Sequence, residues 1–313
     1  MTRPNNFNRL QHYLPVGYLK HFSNDTHTRP ARNRKTWAYS KNSQSLKYLK
    51  LKYLCSEIDF YTSDGDKEFR AHDSIDQRLS LSIDQFIKLN IPNVSNKDPL
   101  GYELLVQGCY LRVRGNSLEK RTAAERLKVA DISVRTFVNT HLLDAPNANP
   151  IERAQLLREK WSTVKILGPK DWLLFTSDNP VMFFNYNKVE ICLIIFPLDQ
   201  NTYFVAYKDS RIKVVCTKAT PNDATTLIGY TIANAYDLVI SSTLDQYTPT
   251  GLATFLIPPY AKNYVDDKYL QLTAFDFEGI LEKLSFLRLK KKPSRRGLFY
   301  IEVKNWIVQS TSD

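Results

Sequence analysis

Between residues 181 and 207 three apolar runs, Val181 to Phe184, Glu190 to Phe196 and Thr202 to Tyr207, follow one another with only short polar turns between them. Runs of this length, rich in Val, Ile, Phe and Tyr, read as strands. The stretch before them has a different period. Asp73 to Leu89, Pro99 to Arg114 and Ser117 to Leu143 carry amphipathic helical spacing, interrupted at Pro92 and Gly115, and Pro150-Ile-Glu-Arg opens a further helix through Trp161. Helices and strands are therefore segregated along the chain, which favours an α+β fold over a doubly wound sheet.

The flanks complete this outline. Leu10, Tyr13, Leu14, Tyr18, Leu19 and Phe22 recur at helical spacing, with Pro15 and Gly17 interrupting, so a broken or short helix is expected there. Thr36 to Ser40 and Leu46 to Leu54 flank Lys41-Asn-Ser-Gln as a β-hairpin, and Ser56 to Thr62 is extended. Trp172 to Phe175 predicts a short strand, Ala224 to Ala235 a helix, Leu238 to Ile240 a strand and Gly297 to Val308 a last strand. A chain of 313 residues can build this as one domain or as two lobes. No internal repeat is visible.

Several classes are disfavoured at once. The most apolar run, Ile191 to Pro197, is far short of the ~20 residues that span a bilayer. The opening MTRPNNFNRLQHY lacks the apolar stretch of a secretory leader. Cys55, Cys109, Cys192 and Cys216 have neither CxxC spacing nor the density of a disulfide framework, and a reducing cytoplasm is the expected setting. There is no GxxxxGK[ST], GxGxxG or GxSxG, which argues against phosphate-loop, dinucleotide and α/β-hydrolase chemistry.

Charge is the most localised signal. The net charge is +11, yet the segment between Asp25 and Glu57 has no acidic residue and eight basic ones: Arg29, Arg32, Arg34, Lys35, Lys41, Lys47, Lys50 and Lys52. Between Glu282 and Glu302 the same holds for Lys283, Arg288, Lys290, Lys291, Lys292, Arg295 and Arg296. Without these fifteen, 28 of the 43 basic residues remain against 32 acidic ones, and the rest of the chain is mildly acidic. Such polarity fits a surface that faces a polyanion. In the first segment Trp37, Tyr39, Tyr48 and Tyr53 interleave with the cations, a combination that stacks bases while neutralising phosphates. The competing reading is a hairpin with an aromatic core face and a lysine face that blocks edge pairing.

A resemblance joins several of these fragments. His12-Tyr13-Leu14-Pro15 followed by Tyr18-Leu19-Lys20-His21-Phe22 is similar to the HYxP…YLxxF opening of domain-of-unknown-function family 4238, which is mostly bacterial. Thr36-Trp37-Ala38-Tyr39, Glu57-Ile58-Asp59-Phe60-Tyr61, the stretch Phe175-Thr176-Ser177-Asp178-Asn179-Pro180-Val181, Phe196-Pro197-Leu198, and Asn234 with Val239-Ile240-Ser241-Ser242 resemble its later segments in the same order. The resemblance implies a family-like core over residues 10–245 and a C-terminal extension over 246–313. The chain departs from the family in a less acidic helix after Tyr61 and in the basic segment from Lys283. The family has no established activity, so the resemblance bears on fold more than on function.

Candidate chemistry rests on few residues. His12 can act as acid, base or ligand near neutral pH, or can simply hydrogen-bond at a corner. Asp178, in a turn after an apolar run, could orient it or hold a metal, although Asp-Asn-Pro is also a strong turn former. Arg112 could stabilise phosphate charge. Glu57 and Asp59, two apart on an extended segment, share a face and could hold Mg²⁺. The expected function is nucleic-acid binding, extending to a nuclease used in bacterial defence or toxicity with His12, Asp178 and Arg112 as its catalytic set. Arg34, Lys35, Lys47, Lys50, Lys290, Lys291, Lys292, Arg295 and Arg296 would then contact nucleic acid. The alternative is a non-catalytic subunit whose basic segments dock an acidic protein partner or nucleic acid.

Overall fold

A computed structural model describes residues 10–24, 29–58, 60, 69–89, 98–116, 122, 125, 134–170, 172–186, 190–208, 210–243, 263–267 and 270–290. In chain order the first elements are β1 (Leu10–His12), α1 (Val16–Leu19), β2 (Lys35–Ser40), β3 (Ser45–Lys50) and β4 (Ser56–Ile58). Two long helices follow, α2 (Phe69–Lys88) and α3 (Pro99–Asn116), then α4 (Pro150–Lys160). Strands dominate the remainder: β5 (Trp161–Leu167), β6 (Thr176–Ser177), β7 (Met182–Tyr186), β8 (Glu190–Pro197), β9 (Thr202–Lys208) and β10 (Ile212–Val214). After α5 (Pro221–Asn234) come β11 (Leu238–Ser241), β12 (Asn263–Asp267), β13 (Leu270–Asp276), α6 (Phe277–Leu281) and β14 (Leu287–Leu289). The fold is α+β. The predicted last strand, residues 297–308, lies outside the described residues.

The three apolar runs form the middle of the main sheet, whose order is β12-β13-β7-β8-β9-β5. Its pairs are antiparallel except β13 with β7. Both faces are covered, which is why these strands are almost continuously apolar. Phe183, Ile194, Phe196, Phe204 and Ala206 face a core that includes the N-terminal signature, α2 and α3. Met182, Phe184, Leu193, Ile195, Tyr203 and Val205 face a second core that includes α5 and α6.

Local chemistry sets the helix starts. Asn149 caps α4 by accepting from Ile151 and Glu152 N–H, each at 3.0 Å, with Pro150 next to it. Thr220 and Asp223 form a reciprocal capping box on α5. Asp223 is fully buried and also accepts from Ser285 N and Ser285 Oγ, both at 2.6 Å, which ties the start of α5 to the segment after α6.

A second sheet, ordered β3-β2-β11-β6 and antiparallel throughout, carries the hairpin. The hairpin was expected; its setting beside β11 was not legible locally. The N-terminal segment holds the short helix expected only from Val16 to Phe22. Leu10–His12 is a strand because it pairs with Ser56–Ile58, and helical turns begin only after Pro15. Trp172 to Phe175 is not a strand, since only Thr176 and Ser177 pair with β11.

Candidate nucleic-acid interface

The signature fragments meet in one buried knot. Tyr18, fully buried, donates from its hydroxyl to the Pro197 carbonyl at 2.8 Å and shares a 2.7 Å hydrogen bond with Thr176 Oγ1. Thr36 Oγ1 bridges the carbonyls of Phe22 and Ser241 at 2.6 and 2.8 Å. Asn179 donates to Asn234 O at 2.8 Å, and Asn234 returns the bond to Asn179 O at 2.6 Å and reaches Val181 O at 3.0 Å. Tyr13, Leu14, Leu19 and Phe22 are buried around it. Trp37 does not join them; it packs on Tyr48 on the sheet face opposite Thr36 and Ala38.

Asp178 is at the centre of this knot. Its carboxylate accepts from the backbone N–H of Tyr236 at 2.9 Å, Asp237 at 2.8 Å and Leu238 at 3.0 Å, and its own N–H donates to Leu238 O at 3.0 Å. Burial raises its pKa, the three N–H donors oppose that shift, and Asp237 adds to it. Its charge also bears on Tyr13 and Cys55, whose ionisations burial already pushes upward.

His12 is the last residue of β1. It lies opposite Ser56 in β1–β4, and Arg114 donates to its carbonyl. Burial lowers the imidazole pKa to about 4, the nearby Arg114 and Arg32 charges push the same way, and hydrogen bonds with the Lys52 and Leu51 backbone oppose them. The ring is therefore neutral at pH 7, and its Nε2 is buried with no hydrogen-bond partner among the described residues. The Asp178 charge acts on Tyr13, the residue after β1, whereas the charges that act on His12 are those of Arg114 and Arg32. Arg112 is fully buried in α3, with its guanidinium 5.7 Å from the Phe183 ring centroid and its pKa lowered by burial. Glu57 is exposed on β4, and Asp59 lies outside the described residues. Among the described residues no group of three His, Cys, Asp or Glu could hold a metal ion, and no helix is long and apolar enough to cross a membrane.

The hairpin presents an open, cation-bearing surface among the described residues. Its register sets Lys35 opposite Lys50, Trp37 opposite Tyr48 and Tyr39 opposite Leu46, so these three rows share one face. The other face of β2 buries Thr36 and Ala38. Trp37 and Tyr48 rings lie 4.8 Å apart at 38°, and Lys35 Nζ stands 5.3 Å from the Tyr48 centroid. Past β3 the chain makes a 3₁₀ turn, Leu51–Tyr53, which buries Leu51 and turns Tyr53 outward with Lys52 Nζ 4.8 Å from its ring. Arg29, Arg32, Lys47 and Lys50 are exposed, while Arg34 is half-buried and donates to Arg29 O at 3.1 Å. Lys41 is used differently: it donates to Ala235 O at 2.7 Å at the end of α5, where a cation is favoured. Among the tail cations Lys290 is exposed at the end of β14, on a separate two-stranded sheet with β10. Lys291, Lys292, Arg295 and Arg296 lie outside the described residues.

Residues 10–103 match the family model described as a protein of unknown function (DUF4238), in keeping with the resemblance of the N-terminal signature. No curated protein and no solved structure matches the chain.

Proposed function

We propose that this chain is a nucleic-acid-binding protein and that the β2–β3 hairpin with its following turn is the interface. The observation that carries the reading is the exposed edge strand β3. Lys47 and Lys50 project from opposite faces of it, Arg29 and Arg32 are exposed nearby in sequence, and no acidic residue interrupts the segment from 26 to 56. Lysines also guard edge strands against pairing, but Arg29 and Arg32 lie outside any strand and have no such duty.

The test is binding of DNA and RNA oligonucleotides across a salt series. Each phosphate neutralised contributes roughly 0.7 to 0.9 to the slope of log affinity against log salt. Replacing Arg34, Lys35, Lys47 and Lys50 together by Gln should weaken binding and flatten the slope by about 3 if all four make contact. The parent protein failing to bind either nucleic acid at low salt would defeat the reading, and the basic segments would then serve an acidic protein partner. The narrower form, a nuclease of bacterial defence or toxicity using His12, Asp178 and Arg112, is tested in the same tubes by adding Mg²⁺ and scoring cleavage. Its difficulty is geometric, since both Asp178 oxygens are already engaged by backbone N–H groups.

A further inference from the structure

We infer that the hairpin surface takes single-stranded nucleic acid, with unpaired bases resting on Tyr48 and Tyr53. This rests on the nucleic-acid reading above and narrows its substrate. The lysines and arginines alone would serve a duplex, whose phosphates are outside and whose base faces are hidden in the stack. Open aromatic rings on a basic surface serve bases that are already unstacked. Tyr48 is 42% exposed and Tyr53 57% exposed, the two most open aromatic side chains among the described residues. Each has a lysine ammonium within about one ring diameter, Lys35 at 5.3 Å and Lys52 at 4.8 Å from the centroids.

The register supplies the rest of the geometry. On one face the Lys35–Lys50 row lies two residues from the Trp37–Tyr48 row, a separation of about 7 Å along the strands. A base stacked on Tyr48 therefore has a row of cations beside it at backbone scale, and Trp37 supports the ring from the neighbouring strand. An ordinary cross-strand aromatic pair accounts for Trp37 and Tyr48. It does not account for Tyr53, which belongs to no strand and projects from the turn with its own lysine. An acidic protein segment would use the charges and leave both tyrosines idle, so the rings favour the nucleic acid.

The experiment measures anisotropy of labelled oligonucleotides of roughly 12 nucleotides on the full chain, as single-stranded deoxythymidine, single-stranded uridine and a duplex of equal length. At matched salt, either single strand binding about tenfold or more tighter than the duplex supports the inference. Tyr48→Ala and Tyr53→Ala should each lower single-strand affinity by about fivefold or more and leave duplex affinity unchanged. Tyr53 lies at the surface outside any strand, so the thermal transition of Tyr53→Ala should match the parent. Tyr48→Ala also loses its Trp37 pair and should melt slightly lower, while Tyr48→Phe keeps that pair, and both phenylalanine variants, Tyr48→Phe and Tyr53→Phe, should retain affinity. Equal binding of duplex and single strand, with silent tyrosine variants and a salt slope that still responds to the lysine and arginine substitutions, overturns this inference while leaving the broader reading in place. Displacement of bound oligonucleotide by polyglutamate at equal charge concentration points to an acidic protein and overturns the inference. Absence of binding to every oligonucleotide at low salt defeats both.

Discussion

Asp178 distinguishes a carboxylate that holds the fold from one kept for chemistry. Its Oδ2 accepts from Asp237 and Leu238 N–H and its Oδ1 from Tyr236 N–H, in a setting only 2% exposed. Asp178→Ala leaves three partly buried backbone donors without their acceptor. At about 1 kcal/mol or more for each, the loss should be roughly 3 kcal/mol. Asp178→Asn keeps one oxygen. Turned toward Asp237 and Leu238, it satisfies two donors and sets its own NH₂ against the Tyr236 N–H, a cost of about 1–3 kcal/mol partly offset by no longer burying a charge. The alanine variant should therefore be the weaker by about 1–2 kcal/mol in urea unfolding followed by tryptophan fluorescence. The pH dependence has a definite sign. Burial raises this pKa above 3.8, so the folded state favours the protonated form. The contribution of Asp178 is then fully present below the unfolded value and declines as pH rises through the folded one. An alanine variant within roughly 0.5 kcal/mol of the parent would refute the clamp, since that is the range of an uninvolved surface site.

Two further perturbations test the frame around the hairpin. His12 and His21 both have pKa values lowered to about 4, chiefly by burial, and for His21 that outweighs Asp84 at 3.5 Å. Both bind fewer protons folded than unfolded, so stability should fall as pH drops from 6.5 toward 4; urea titrations of His12→Asn should show a shallower fall, and an unchanged slope would count against a buried neutral imidazole. Asp223→Ala removes the acceptor for Thr220 N and for Ser285 N and Oγ, and should cost about 2–4 kcal/mol in the same unfolding assay, whereas a loss below 1 kcal/mol would mean that α5 does not depend on this cap.

What the sequence made legible follows from how far apart the interacting residues lie. Strands β7, β8 and β9 announce themselves because both faces are buried and the apolar runs are joined by short turns. Helix α2 shows in its amphipathic spacing and the β2–β3 hairpin in its turn residues, whereas α3 is buried on nearly every side from Gly101 to Arg114 and is not the amphipathic helix expected. Strand β1 does not, since Leu10–His12 is extended only through pairing with Ser56–Ile58. Strand β5 was hidden because α4 ends at Lys160 and the strand starts at Trp161 with no intervening turn signal. The same distance effect governs the site residues. Asp178-Asn179-Pro180 is readable as a turn, but the N–H groups that claim the carboxylate come from residues about 60 positions away. Tyr18 gives no hint that its hydroxyl crosses to Thr176 and Pro197. The cationic and aromatic interleaving of the hairpin is local and was readable, whereas which residues open outward depends on the face of β2 that packs Ala38 into the core.

These two kinds of legibility separate structure from function in this chain. Tyr13, Tyr18, Thr36, Thr176, Asp178, Asn179, Asn234 and Ser241, drawn from fragments that resemble the family's signature, are buried and occupied by mutual packing and hydrogen bonds. Most of these polar atoms are committed in this way, and a new partner at them would have to displace a bond that the fold already uses; the exceptions are Asn179 Oδ1 and Asn234 Oδ1, buried without a hydrogen-bond partner among the described residues. The knot fixes β11 against β2, and β2 in turn carries β3. Lys41 reinforces that link from the hairpin side through the last carbonyls of α5, as does Asp237 through Ser40 and Asn42. A surface meant to stack bases gains from such rigidity, since a ring already held in place loses little freedom when a base settles on it. The knot and the hairpin are thus one device under this reading: the buried signature residues hold the sheet, and the exposed lysines and tyrosines at its edge meet the polyanion.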